Sequence, residues 1–191
     1  MITHTGTVTI QTDRLILRRF AAEDAKEMFK NWASDPLVTK YLSWKPHSDL
    51  RVTTDLLDTW IKRYKDPKCY NWVIEYNGTI IGNISVVTAD ENEKRADLGY
   101  CIGSRWWKMG ITTEAAKAVI DHLLKNTGFE KVRICHVLKN PASGRVAQKC
   151  GLKFIGTERG KSIIHTGEAL DIAIYETTAS KPGESAYTPV K

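Results

Sequence analysis

The stretch DLGYCIGSRWWKMGITTEA, residues 97–115, holds the residues best suited to chemistry. The pattern reads as a strand to about Ile102, a turn at Gly110 and a helix from about Thr112. A helix's first turn has unpaired N–H groups and a positive dipole end, which together attract an anion. A glycine at such a turn lets the backbone approach the ligand closely, because a Cβ would stand in the way. Neither GxxxxGK[ST] nor GxGxxG occurs, so this is not a P-loop or a nicotinamide-dinucleotide fingerprint. About thirty residues on, Asn140-Pro141-Ala142-Ser143 follows another strand, with Asn140 placed as N-cap and Pro141 at the first helical position. Asn140 taken locally could be only a cap. Its pairing with the glycine turn, each after a strand, points to a ligand held at two helix starts.

Other reactive side chains are scattered. Asp97 lies four residues before Cys101 on the same strand, and so on the same face. His136 lies on the strand leading to Asn140, and Trp44 and His47 lie in a loop between two helices. Cysteines 69, 101, 135 and 150 include no CxxC pair and no flanking histidine spacing, so they read as small buried hydrophobes and no metal is expected.

The elements that must position these residues follow from the apolar spacing. A strand over 15–20 precedes a helix with Ala25, Met28, Phe29 and Trp32 on one face, ending before Asp35-Pro36. Leu56, Leu57, Trp60, Ile61 and Tyr64 mark a second helix. Strands over 72–76 and 79–87 flank Asn77-Gly78, a type I′ hairpin signal. A strand over 96–102, a helix over 112–125, a strand over 132–137, a helix over 141–149 and a hairpin of 152–156 with 170–175 complete the order β-α-α-β-β-β-α-β-α-β-β. The central β-α-β-α unit requires one parallel strand pair. Residues 1–176 read as one domain, and the polar residues 177–191 as a tail, free or lying on a partner subunit in a possible homodimer.

Composition agrees with one globular domain: 191 residues, 42% hydrophobic and 26% charged. It excludes a disordered chain, a collagen-like fibre and a disulfide miniprotein. No apolar run approaches the ~18–20 residues of a membrane helix, and the start shows no signal-peptide pattern. A soluble, cytoplasmic protein with no membrane partner is expected. The net charge of +6 suits anionic partners, but no basic run is longer than two residues, which argues against direct nucleic-acid binding.

Four segments in this order, TDRLILRRF, GYCIGSRWWKMGITTEA, NPASGRVAQKCGLKFIGTE and ALDIAIYE, resemble the GNAT superfamily of acetyl-CoA-dependent N-acetyltransferases, in its RimJ/RimL-type branch. The resemblance spans residues 10–176. It implies an α/β (α+β) fold: a mixed, mostly antiparallel sheet of about seven strands with helices on both faces. It implies acetyl-CoA as acetyl donor, its diphosphate held by the loop Trp107, Lys108, Met109, Gly110, Ile111, Thr112, with Thr113 following. Lys108 stands where glycine is frequent, Trp107 where Gln or Arg is typical, and Thr112 where a smaller residue is usual. The resemblance also implies that backbone at Cys101, Ile102 and Gly103 pairs with pantetheine, that a splay between two strands admits the thioester, and that Asn140 bonds the pantetheine arm. Ser143 would protonate or orient the leaving thiolate, and the N–H of Cys101 or Ile102 would receive the oxyanion. Asp97 matches the position of a frequent Glu and would act as base through a water. Trp44 and His47 would border the acceptor groove; His136, on the strand leading to Asn140, is a candidate second base or substrate contact.

The acceptor implied is a protein N-terminal amine of the ribosomal-protein type. At pH 7 an α-amine of pKa ~7.7 is about 17% neutral, against about 0.04% for a lysine of pKa ~10.4. A small-molecule amine, such as a polyamine or an aminoglycoside, and a non-catalytic acetyl-CoA sensor are the alternatives.

Overall fold

The computed structural model describes residues 1–178. Eight strands form one sheet in the order β1-β2-β3-β4-β5-β6-β8-β7. They are β1 (Ile10–Gln11), β2 (Leu15–Arg18), β3 (Asn71–Tyr76), β4 (Thr79–Asp90), β5 (Arg95–Ile102), β6 (Lys131–Val137), β7 (Lys153–Ile163) and β8 (Ala169–Thr178). All pairings are antiparallel except β5 with β6. The expected count of seven strands becomes eight because β1, too short to show a period, pairs with β2. The tail expected over 177–191 gives up Thr177 and Thr178 to β8, and residues 179–191 lie outside the described residues.

Asn77 and Gly78 both adopt positive φ (50° and 72°), as the two-residue turn between β3 and β4 requires. β4 and β7 run longer than their apolar alternation suggested, because each passes a bulge that breaks the period.

Helices cover both faces. α1 (Ala25–Met28) continues into a π turn at Phe29–Ala33, and α2 (Pro36–Thr39) and α3 (Leu50–Arg63) follow. Trp32, Met28 and Leu57 pack here with Val73 and Ile80 of the sheet. On the other face α4 (Ile111–Asn126) and α5 (Pro141–Lys149) cover a larger core that includes Trp72, Ile81, Leu98 and Ile134. The first helix was expected to be regular. Its π turn instead places Asn31 against the end of β5, where the Asn31 side chain donates to the Ile80 carbonyl (2.7 Å) and its own carbonyl occupies the space a Cβ on Gly103 would need. Trp32 and Trp72 are each fully buried, one per face, and each contributes on the order of 4 kcal/mol by area.

Candidate active site

β5 and β6 pair only from Arg95↔Lys131 to Leu98↔Ile134. Beyond that β5 follows β4 to Ile102, whereas β6 follows β8 to Val137, so the strands part. The expected splay is therefore a feature of this fold. Its two mouths carry α4 and α5, each starting just after one of the parted strands.

Strand alternation decides which backbone groups face the splay. Gly103 N–H donates to Ile81 O of β4 (2.8 Å), and the Cys101 carbonyl sits where a Cβ on Gly82 of β4 would be. Odd-numbered residues of β5 thus spend their amides on β4, and Tyr100 and Ile102 turn theirs to the splay. With the Gly103 N–H held by β4 and Cys101 in the same alternation, the amides of Ile102 and Tyr100 are the ones that face the splay, where pantetheine or an oxyanion is expected. The Cys101 thiol donates to Asn83 Oδ1 (2.9 Å), and burial pushes it up to about 12, so it stays a protonated packing group.

At the α4 mouth, Gly110 is the N-cap with φ 77°, in the left-handed region, and no side chain caps the helix. The N–H groups of Ile111, Thr112 and Thr113 are thus open at a positive dipole end. Lys108 also has positive φ (65°). This explains why glycine suits that position, and why Lys there carries strain on the order of 1 kcal/mol. Alternating left-handed residues make a concave run of amides that suits a phosphate. Trp107 does something the sequence did not suggest: its indole N–H donates to Ile102 O (2.9 Å), tying the loop to the end of β5. The Ile111 side chain is fully buried, and Met109 is partly exposed.

At the α5 mouth, Asn140 occupies the N-cap, yet its side chain makes no capping bond, leaving the amide for a ligand. Ser143 does not bond its own helix backbone through Oγ. Instead Oγ lies 2.8 Å from the hydroxyl of Tyr100, which bridges the splay from β5 to α5. Burial holds the phenol well above its usual pKa, so it remains a donor. Tyr100 is a site residue that the sequence pattern did not single out. The signal available was its position beside Cys101 and on the opposite face.

Asp97 shares a face with Cys101, as expected, at the closed end of the splay, paired in register with Arg133. Its Oδ1 accepts from Arg95 Nε (2.9 Å), and the side chain is 20% exposed, enough for water to reach it. Four residues along a strand span roughly 13 Å, so contact with an acceptor near Cys101 would run through water.

Trp44 and His47 come together, with ring centroids 5.4 Å apart, against the α1–α3 core. His47 Nδ1 lies 2.7 Å from Thr53 Oγ1, and burial lowers its pKa. His136 does not join them. It lies on the opposite face, stacked on Tyr175 (5.7 Å), with Nδ1 on the Val137 carbonyl and Nε2 against Gly144. Like the other even-numbered residues of β6 it faces α5, away from Trp44 and His47.

The GNAT acetyltransferase domain matches residues 14–153 of the chain. The chain belongs to the GNAT acetyltransferases. It is 27% identical over 177 residues to the uncharacterized N-acetyltransferase YoaA of Bacillus subtilis (strain 168), covering 92% of this chain and 98% of that one. Its fold resembles the microcin C7 self-immunity acetyltransferase MccE, solved with acetyl-CoA and AMP (TM-score 0.80, 22% identity, 87% of this chain and 93% of that one). It also resembles RimL, the ribosomal L7/L12 α-N-protein acetyltransferase, solved with coenzyme A (TM-score 0.80, 16% identity, 90% and 97%). As a GNAT enzyme this chain is an acetyl-CoA-dependent N-acetyltransferase. Its open amides at Gly110–Thr113, the free Asn140 amide and the splay suit a diphosphate, a pantetheine arm and a thioester in that order.

Proposed function

We propose that this enzyme acetylates an α-amine at a protein N-terminus. The observation that carries this reading is the placement of Asp97: a carboxylate engaged by Arg95 and set back along β5 can reach an acceptor only through water. Such a base suits an amine already about 17% neutral at pH 7 far better than a lysine. The likeness to RimL supports the same acceptor class.

In this reading the amides of the α4 start hold the diphosphate, Asn140 holds the arm, and Ile102 or Tyr100 N–H receives the charge that develops on the acetyl oxygen. Asp97 takes the amine proton through water. Ser143, oriented by Tyr100, donates a proton to the departing sulfur. Bound acetyl-CoA supplies the activated acyl group.

A small-molecule acceptor is the second reading, and one contact favours it. Leu42 O accepts from His165 N–H (3.0 Å), and Tyr41 packs on the cluster that holds Val137, Ile164 and Ile172. The loop after α2 is thereby tied to the β7–β8 turn, at one side of the acceptor face.

The test is thiol release from acetyl-CoA with a matched panel: peptides with free N-termini, the same peptides Nα-blocked but bearing lysine, and polyamines. Acetylation confined by mass spectrometry to free α-amines supports the proposal. Turnover only with the polyamines rejects it in favour of the second reading.

A further inference from the structure

We propose that Arg14 is a positioning residue for the coenzyme loop: by holding the Met109 carbonyl it aims the Gly110 N–H at the bound diphosphate. This rests on the coenzyme site described above. Arg14 belongs to the segment TDRL, which no catalytic role has yet used, and it reaches the loop across 95 residues of sequence.

Its guanidinium is held on one side and active on the other. Nε and Nη2 both donate to Glu114 Oε2 (2.7 Å each), and the Arg14 backbone N–H donates to Glu114 Oε1 (3.1 Å). Thr12 Oγ1 donates to the same oxygen (2.6 Å). Burial alone would raise the Glu114 pKa, but these bonds outweigh it and keep the carboxylate ionised. Glu114 sits in the first turn of α4, and its N–H donates to Gly110 O (3.1 Å). Arg14 is thus clamped to the helix it serves. Its remaining arm, Nη1, donates to Met109 O (3.2 Å).

That bond matters because of peptide geometry. In a trans peptide the C=O and the following N–H point in opposite directions. Fixing the Met109 carbonyl on the Arg14 side therefore turns the Gly110 N–H to the other side. Without the bond this peptide plane rotates easily, since glycine accepts φ of either sign. Because Glu114 neutralises Arg14, the effect is orientation more than added positive charge.

The experiment compares the parent enzyme with Arg14→Gln and Arg14→Lys. It measures coenzyme A affinity by calorimetry, kcat and KM with acetyl-CoA, and kcat/KM with S-acetylpantetheine, which lacks the diphosphate. The expected result for Arg14→Gln is a loss of coenzyme A affinity of about tenfold or more, as for a charge-assisted hydrogen bond. Its kcat at saturation and its use of S-acetylpantetheine stay within twofold. Arg14→Lys recovers little, because a point charge lacks the fork. Affinity within twofold of the parent overturns the proposal, as does full recovery by lysine or an equal loss with S-acetylpantetheine. A parent that binds no coenzyme A overturns the site itself. Should Arg14→Gln not fold, Glu114→Gln serves: a weakened clamp predicts about threefold weaker coenzyme A binding, and unchanged binding overturns the inference.

Discussion

The two ends of the splay are made from different parts of the polypeptide. In the proposed mechanism the diphosphate end works through main-chain N–H groups, and side chains such as Arg14, Glu114 and Trp107 only hold that backbone in place. At the thioester end the proposed mechanism leans mainly on side chains, those of Asp97, Tyr100 and Ser143, with one main-chain N–H of β5 left to receive the oxyanion. The first end therefore tolerates residue changes that keep its dihedral angles, and the second does not. This is why Lys108 and Thr112 can depart from the family pattern: neither alters the amides that an anion would meet.

The largest effect expected is at the thioester end. Asp97→Asn lowers kcat at pH 7 by about 100-fold, the usual worth of a general base, with coenzyme A affinity within twofold. Normal turnover in this variant would remove Asp97 from the mechanism and blur the contrast between the ends. Next comes the pair bridging the splay. Tyr100→Phe removes only the hydroxyl and lowers kcat about tenfold. Adding it to Ser143→Ala costs little more, because the two act as one unit. Independent, multiplying losses would show that Tyr100 is merely core.

A smaller effect tests the tolerant end. Lys108→Gly relieves a left-handed residue and raises stability in urea by roughly 0.5–1 kcal/mol, while turnover holds. A loss of stability would mean the loop is held by the lysine side chain instead of by its angles. The smallest effect is in pH. Burial lowers the His47 pKa, so the folded state prefers the neutral ring. Stability is full above the ordinary histidine pKa of ~6.5 and falls as the pH drops below it, where the unfolded chain binds the proton more readily. His47→Gln should lose less melting temperature than the parent between pH 7.5 and 5.5. Half-buried His122, shifted the same way, leaves part of the loss in both.

Much of this was legible in the sequence because it depends on local rules. Asn77-Gly78, Gly110 and Asn140-Pro141 announce their turns through dihedral demands that few residues meet. Asp97 and Cys101 share a face because strands alternate. What stayed hidden depends on partners distant in sequence. Nothing near Arg14 points to Met109, and nothing near Tyr100 points to Ser143, since only the fold brings them together. The backbone direction of Cys101 is set by its register on β4, and the face of His136 by that of β6. The π turn at Phe29–Ala33 leaves the apolar period almost intact, so a regular helix was the natural reading.

Amide NMR during titration with coenzyme A tests the central claim most directly. The account predicts the largest shifts at Gly110, Ile111, Thr112 and Thr113, with further shifts at Tyr100 and Ile102 and little change at Cys101 and Gly103. Saturating coenzyme A that leaves the Gly110–Thr113 amides unmoved would contradict it.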